Sequence, residues 1–260
     1  MTALTVKGLR QAYEDPYSGE TTTAVGDATF DVQEGQFVSL IGPSGCGKTT
    51  VLNVVAGFIQ PSGGTVEMAG TPVTGPGPDR GVVFQDFALF PWMTVEGNVA
   101  FGLKMQGVAR SERRDRAREM LALVGLEGSE TKYPHELSGG MRQRAGVARV
   151  LATEPAMMLM DEPFASIDAQ TRRVLQQEVL RIWEQHRTTV LFVTHDVDEA
   201  IFMADRIIVL GGRPSSVEAD ITVDLPRPRT WREVQVDSRF LDLRNELLVR
   251  LGVEDGVEAT

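Results

Sequence analysis

Residues 42–49 read GPSGCGKT and match the spacing G-x-x-x-x-G-K-[ST]. Gly42, Gly45 and Gly47 allow the chain to curl until its backbone N–H groups face one point, with Pro43, Ser44 and Cys46 filling the places between. An apolar run of strand length precedes the loop and the helical run 50–58, opening at Thr50, follows it, so a helix N-terminus adds its positive end to the same point. The chemistry this suits is the capture of a nucleotide's phosphates. Lys48 would contact the β- and γ-phosphates, and the Thr49 hydroxyl would complete part of a Mg²⁺ shell, because a hard cation takes oxygen ligands.

A second acidic signal lies at 157–162, where the apolar run MMLM ends in Asp161 and Glu162. If that strand neighbours the one before the loop, Asp161 falls beside the metal and Glu162 beside the γ-phosphate, where it can polarise water. Loop and acidic strand together point to a nucleotide hydrolase. Residues 137–144, LSGGMRQR, narrow the class: they resemble the signature of the ABC ATPase family, with Met141 at the position usually held by Gln. Ser138 at a helix start and the amides of Gly139 and Gly140 can cap an anion, which the resemblance implies is the γ-phosphate held by a second copy of the chain.

The resemblance extends over about residues 4 to 210 and implies further roles. Gln85 would touch Mg²⁺ or the attacking water and report to a transporter, Asp168 would link the two shared sites, and His195 would contact the γ-phosphate. Tyr13 would stack on adenine, with Tyr17 as the other candidate. Ile167 stands where the family usually has Leu, which alters packing but not chemistry. His135 and His186 read as structural. The stretches FQDFALFPW (84–92), YPHELS (133–138), DEPF (161–164), DAQTR (168–172) and DLPRPR (224–229) are similar to the ATPases of nitrate, sulfonate and taurine importers. In that group two ATPases serve two membrane permease subunits and an external solute-binding protein, which implies a place on the cytoplasmic face of the inner membrane and a small anionic solute. An ABC ATPase of an export or lipid-trafficking system, or one outside transport, is the alternative. The aromatic segment 87–95 suits a partner's helix, although Phe87 and Phe90 also suit a core.

The elements that must position these residues alternate. Runs 38–41, 81–84, 157–160, 190–193 and 207–210 read as buried, largely parallel strands, giving an α/β fold of the P-loop NTPase type. Runs 4–9, 28–32 and 64–68 are more polar and suggest a small antiparallel subdomain flanking the first parallel strand. Between 84 and 157 the pattern turns helical; Ala117, Met120, Leu121 and Val124 repeat at helical spacing before Gly125, which suggests an inserted helical subdomain over about 86–155. The charged stretch 110–119 reads as a solvated helix face. The ATPase domain is expected over 1–212, and 213–260 as a proline-rich connector and a helix bearing Phe240, Leu243, Leu247 and Leu251.

With 260 residues, 42% of them hydrophobic, the chain can bury one good core. No run approaches the roughly 18 apolar residues of a spanning helix, and residues 1–10 lack the features of a secretory signal, so a membrane role is expected to come through a partner. The single cysteine, Cys46, excludes an internal disulfide and fits a reducing compartment. A net charge of −10 with scattered basic residues argues against nucleic acid as a partner.

Overall fold

A computed structural model describes residues 1–86 and 88–252. The chain opens with β1 (Thr2–Glu14), β2 (Thr21–Gln33) and β3 (Phe37–Ile41), turns into helix α1 (Lys48–Ala56), and continues through β4 (Gly63–Met68), β5 (Thr71–Pro72) and β6 (Arg80–Val83). Helices α2 (Val95–Met105), α3 (Arg110–Leu123) and α4 (Gly139–Ala152) follow, then β7 (Met157–Asp161), α5 (Ala169–His186) and β8 (Thr189–Val193). The last part holds α6 (Val197–Met203), β9 (Arg206–Gly211), β10 (Ser215–Thr222), α7 (Trp231–Val234) and α8 (Ser238–Arg250). Two compact units form: one joins Met1–Pro76 to the chain from Leu191 onward, and the other is Gly77–Val190.

In the first unit the strands run in the order β5-β4-β1-β2-β10-β9-β3, with β8, which straddles the division in the chain, next to β3. All five residues of β3 and all five of β8 are buried, which is why both read as unbroken apolar runs rather than as alternating ones. β3 pairs in parallel with β9, Leu40 opposite Ile208. The expected antiparallel group is present: β1 pairs with β2, Val6 opposite Phe30, and with β4, Val6 opposite Val66. It does not flank β3 directly. β9 and β10 intervene, and β10 comes from the segment the sequence presented as a connector. There Ser215–Thr222 alternates polar and apolar residues and pairs with β9, Ile221 opposite Ile207, and with the first half of β2, Ser215 opposite Val25.

Of the four residues at helical spacing near the C-terminus, Phe240 and Leu247 of α8 are buried, and Leu243 and Leu251 are half-buried. Arg244 of α8 donates to Asp198 of α6 at 2.7 Å. Before it, buried Arg229 donates to the carbonyls of Ile201, Phe202 and Ala204 at the end of α6 and to that of Leu225, and Trp231 stacks on Phe202 at 4.1 Å. Carbonyls at a helix end have no intrahelical donor, so the guanidinium serves as the cap of α6.

In the second unit β6 and β7 are parallel neighbours, Val83 opposite Met160. α3 buries Ala117, Met120 and Leu121 and turns off at Gly125, whose φ of 67° any residue with a Cβ would resist. Its charged face is half-exposed and paired to the neighbouring helix: Arg114 and Arg118 both grip Glu96 of α2 at 2.8 Å. α5 buries Leu175, Val179, Leu180, Ile182 and Trp183 along one face.

Candidate functional site

The loop after β3 is built around its glycines. A Cβ on Gly42 would lie 2.4 Å from the Leu210 carbonyl oxygen and 2.7 Å from Cys46 Sγ, so no larger residue fits where the chain leaves the sheet. Gly45 and Gly47 hold φ of 77° and 95°, the left-handed region that a Cβ disfavours. Gly47 is the N-cap of α1 and offers no side chain, which leaves the amides of the first turn to face whatever sits at the helix start. Lys48, only 6% exposed, folds back so that Nζ donates to the carbonyls of Gly42 at 2.8 Å and Pro43 at 3.1 Å. A cation is thereby held over a loop of backbone amides. Pro43, Ser44, Gly45 and Thr49 are exposed, whereas the Cys46 side chain is 1% exposed and burial pushes its thiol pKa up. Cys46 thus belongs to the loop through its backbone, and its sulfur packs inward as a neutral thiol.

Two other expected residues stand in the same unit. Tyr13, 44% exposed near the end of β1, donates from Oη to Thr50 Oγ1 at 3.3 Å, which sets its ring beside the first turn of α1. Tyr17 is 98% exposed in a turn held by Asp15, whose Oδ1 accepts from the amides of Tyr17 and Ser18, and so Tyr13 is the better platform for a base. His195 is exposed just past β8. Its neighbours are fixed on both sides: the Thr194 amide donates to the Leu40 carbonyl of β3 at 3.3 Å, and the Thr194 hydroxyl donates to buried Glu199 while accepting from the Asp196 amide at 3.1 Å. Asp196 in turn caps α6, its Oδ1 accepting from the Glu199 amide at 3.0 Å. A histidine is therefore presented from the strand next to the one that feeds the glycine loop.

The second unit gathers the remaining residues. Gln85 leaves β6 and Asp161 ends β7, so the two emerge from the same end of adjacent parallel strands. Glu162 follows with φ of 43°, a left-handed conformation rare for a residue with a long side chain and found disproportionately at functional sites. Ser138 caps α4, its Oγ accepting from the Met141 amide at 3.3 Å. The two glycines behind it differ. A Cβ on Gly140 would press on Thr171 Cγ2 at 3.1 Å and Leu175 Cδ1 at 3.3 Å, whereas one on Gly139 would meet nothing within 4 Å. Gly140 lets α4 lie close to α5, and Gly139 leaves the helix start open to a group from outside. Asp168 caps α5, its Oδ1 accepting from the Thr171 amide at 3.1 Å, and this bond holds its carboxyl below the usual carboxylate range. Ile167 is buried, so the branched side chain fits the core in that position.

Of the aromatic segment after Gln85, Phe87 lies outside the described residues. Phe90 packs on Phe101 at 4.6 Å, while Trp92 is 70% exposed. Ala88, with φ of 44°, accepts from Arg149 of α4 at 2.5 Å, which ties this segment to the helix that begins at Ser138. Sequence spacing offered no sign of that bond, nor of the turn between β9 and β10, where Arg213 Nη2 donates to the Ser44 carbonyl at 2.8 Å. Among the described residues no three His, Cys, Asp or Glu side chains cluster as metal ligands. Of the expected metal ligands, Gln85 and Asp161 in the second unit bring an amide oxygen and one carboxylate and Thr49 in the first brings a hydroxyl, all oxygen donors of the kind a hard cation takes.

A strand, a glycine loop, a buried lysine and a helix in that order make this a P-loop nucleotide-binding protein. The chain belongs to the ABC transporter family, whose model matches residues 25–165. It is 44% identical over 239 residues to a taurine import ATP-binding protein of Pseudomonas putida, covering 90% of this chain and 91% of the relative. It is also 44% identical over 248 residues to a bicarbonate transport ATP-binding protein of Synechococcus elongatus, covering 94% and 88%. A solved dimeric ATP-binding cassette in a post-hydrolysis state, bound to ADP and Pi, superposes with a TM-score of 0.74 at 31% identity, covering 86% of this chain and 100% of that one. The chain is an ATP-binding ABC ATPase with the fold of that family. No helix among the described residues is long and apolar enough to cross a membrane.

Proposed function

We propose that this chain is the ATPase of an importer for a small anionic solute. Two copies would close head to tail on two ATP molecules and drive a membrane permease fed by a solute-binding protein, at the cytoplasmic face of the inner membrane. The observation that carries the composite site is the helix start at Ser138: it is capped by its own hydroxyl, and Gly139 leaves it open on the outside.

Tyr13 would stack on the adenine, and the backbone N–H groups of residues 44–50 with Lys48 would bind the phosphates. Thr49, Gln85 and Asp161 would hold Mg²⁺, which neutralises phosphate charge when bound. Glu162 would accept the proton of the attacking water, and His195 would donate to the γ-phosphate. Ser138, Gly139 and Gly140 of one copy would complete the other's site, and Asp168 would join the two. Closure would move the permease between its access states, and hydrolysis would reset the dimer. The exposed Trp92, beside Gln85 in sequence, suits a permease helix.

Support for import and for the solute class comes from the similarity to ATP-binding proteins named for taurine import and bicarbonate transport. The test is isolation of the chain from its native membranes with its partners. An importer reading expects a permease and a solute-binding protein that takes an anion such as a sulfonate; co-isolation with an exporter's subunits would contradict it.

A further inference from the structure

We propose that Arg213 is a positioning residue of the ATP site, which from the turn between β9 and β10 holds the tip of the phosphate loop in its binding form and adds a positive charge there. The inference rests on reading residues 42–49 as the seat of ATP's phosphates and adds a support that lies outside every motif.

One hydrogen bond and two close approaches carry it, one at each glycine of the loop. The Leu210 carbonyl at the end of β9 lies 2.4 Å from where a Gly42 Cβ would be. Arg213 Nη2 donates to the Ser44 carbonyl at 2.8 Å and stands 3.3 Å from a Cβ placed on Gly45. Ser215, fully buried, donates its hydroxyl to the Ala24 carbonyl at 3.1 Å, and these two oxygens lie 3.4 Å and 3.0 Å from a Cβ placed on Gly47. The loop therefore leans on the β9–β10 hairpin along its length.

The peptide between Ser44 and Gly45 explains why the arginine matters. In a trans peptide the C=O and the N–H point in opposite directions. A donor that fixes the Ser44 carbonyl toward the hairpin therefore aims the Gly45 N–H away from it, as an anion-binding loop requires. Residues 43–46 form a turn closed by the Cys46 amide on the Pro43 carbonyl at 3.2 Å. Its central peptide, between Ser44 and Gly45, can flip between turn forms without breaking that bond, so a donor on the Ser44 carbonyl selects the form with Gly45 at φ of 77° before ligand arrives. A guanidinium is suited to the task because it is planar and permanently charged, so the N–H that fixes the Ser44 carbonyl also polarises the peptide whose other end presents the Gly45 N–H.

The experiment compares the full chain with Arg213→Met and Arg213→Lys, and uses MgATP itself as the probe. Arg213 is exposed on a turn, and methionine keeps much of its stem. Arg213→Met is expected to raise the Kd and KM for MgATP about 10-fold, the size of one charge-assisted hydrogen bond, while kcat at saturation stays within about twofold. Melting without nucleotide is expected to stay the same, and Arg213→Lys to recover part of the affinity. Unchanged affinity in Arg213→Met, a loss confined to kcat, or a loss matched by earlier melting without nucleotide would each overturn the assignment. Lys48→Ala in the same assay separates the two levels. If it weakens MgATP binding and Arg213→Met does not, only the role of Arg213 falls; if it binds MgATP normally, the reading of the loop falls with it.

Discussion

Tyr13 Oη stands 3.3 Å from Thr50 Oγ1, so the end of β1 is tied to the first turn of the helix that carries Lys48 and Thr49. If the ring is the adenine platform, its face matters and its hydroxyl does not. Tyr13→Phe should bind ATP within about twofold of the unsubstituted chain, and Tyr13→Ala should lose about 10-fold, the scale of one base–aromatic stack. Equilibrium binding of ATP against GTP checks it, because stacking alone discriminates poorly between bases.

Gly139 and Gly140 are adjacent and should fail differently. Gly140→Ala pushes a methyl onto Thr171 and Leu175 and should cost about 1–3 kcal/mol of stability, read from urea unfolding. Gly139→Ala meets no atom and gains helix propensity, so the fold should be as stable or slightly more so. Its ATPase rate at saturating ATP should nevertheless fall about 10-fold or more, because the methyl occupies the side on which the second copy's phosphate would sit.

The cap of α5 carries a pH dependence with a definite sign. The Thr171 amide holds the Asp168 carboxyl below its unfolded pKa, so the stabilisation is present above that unfolded value and is lost as pH falls through the folded one. Asp168→Asn keeps an acceptor oxygen but cannot titrate. The stability gap between the two chains should therefore be widest near neutrality and close in acid, measured as urea midpoints across a pH series.

Arg229 should behave as a structural residue rather than a site residue. Its guanidinium serves four carbonyls at and beyond the end of α6, and Arg229→Met would strip all four of that donor. The expected loss is about 3 kcal/mol in urea unfolding, with the affinity for ATP in the remaining folded protein little altered.

These cases also mark what could be read from the residues alone. β3, β7 and β8 are nearly or wholly buried, so their apolar runs stand out, and the loop and acids that follow them are legible by spacing. β10 is not, because SSVEADIT shows one face to solvent and sits among prolines, a pattern that also suits a connector. The resemblance places Tyr13 ahead of Tyr17, and the bond to Thr50 and the exposed turn that holds Tyr17 supply the physical reason. Arg213 and Ser44 are 169 residues apart and Arg149 and Ala88 are 61 apart, and no local period announces contacts over such separations.

In the proposed function, hydrolysis occurs in a site completed by a second copy, with Glu162 as the group that accepts the proton. Light scattering of Glu162→Gln in the presence of MgATP, with turnover measured on the same sample, tests it most directly. The expected result is a stable dimer that retains ATP and releases no phosphate. A chain that stays monomeric while hydrolysing ATP at the unsubstituted rate would contradict both the residue and the shared site.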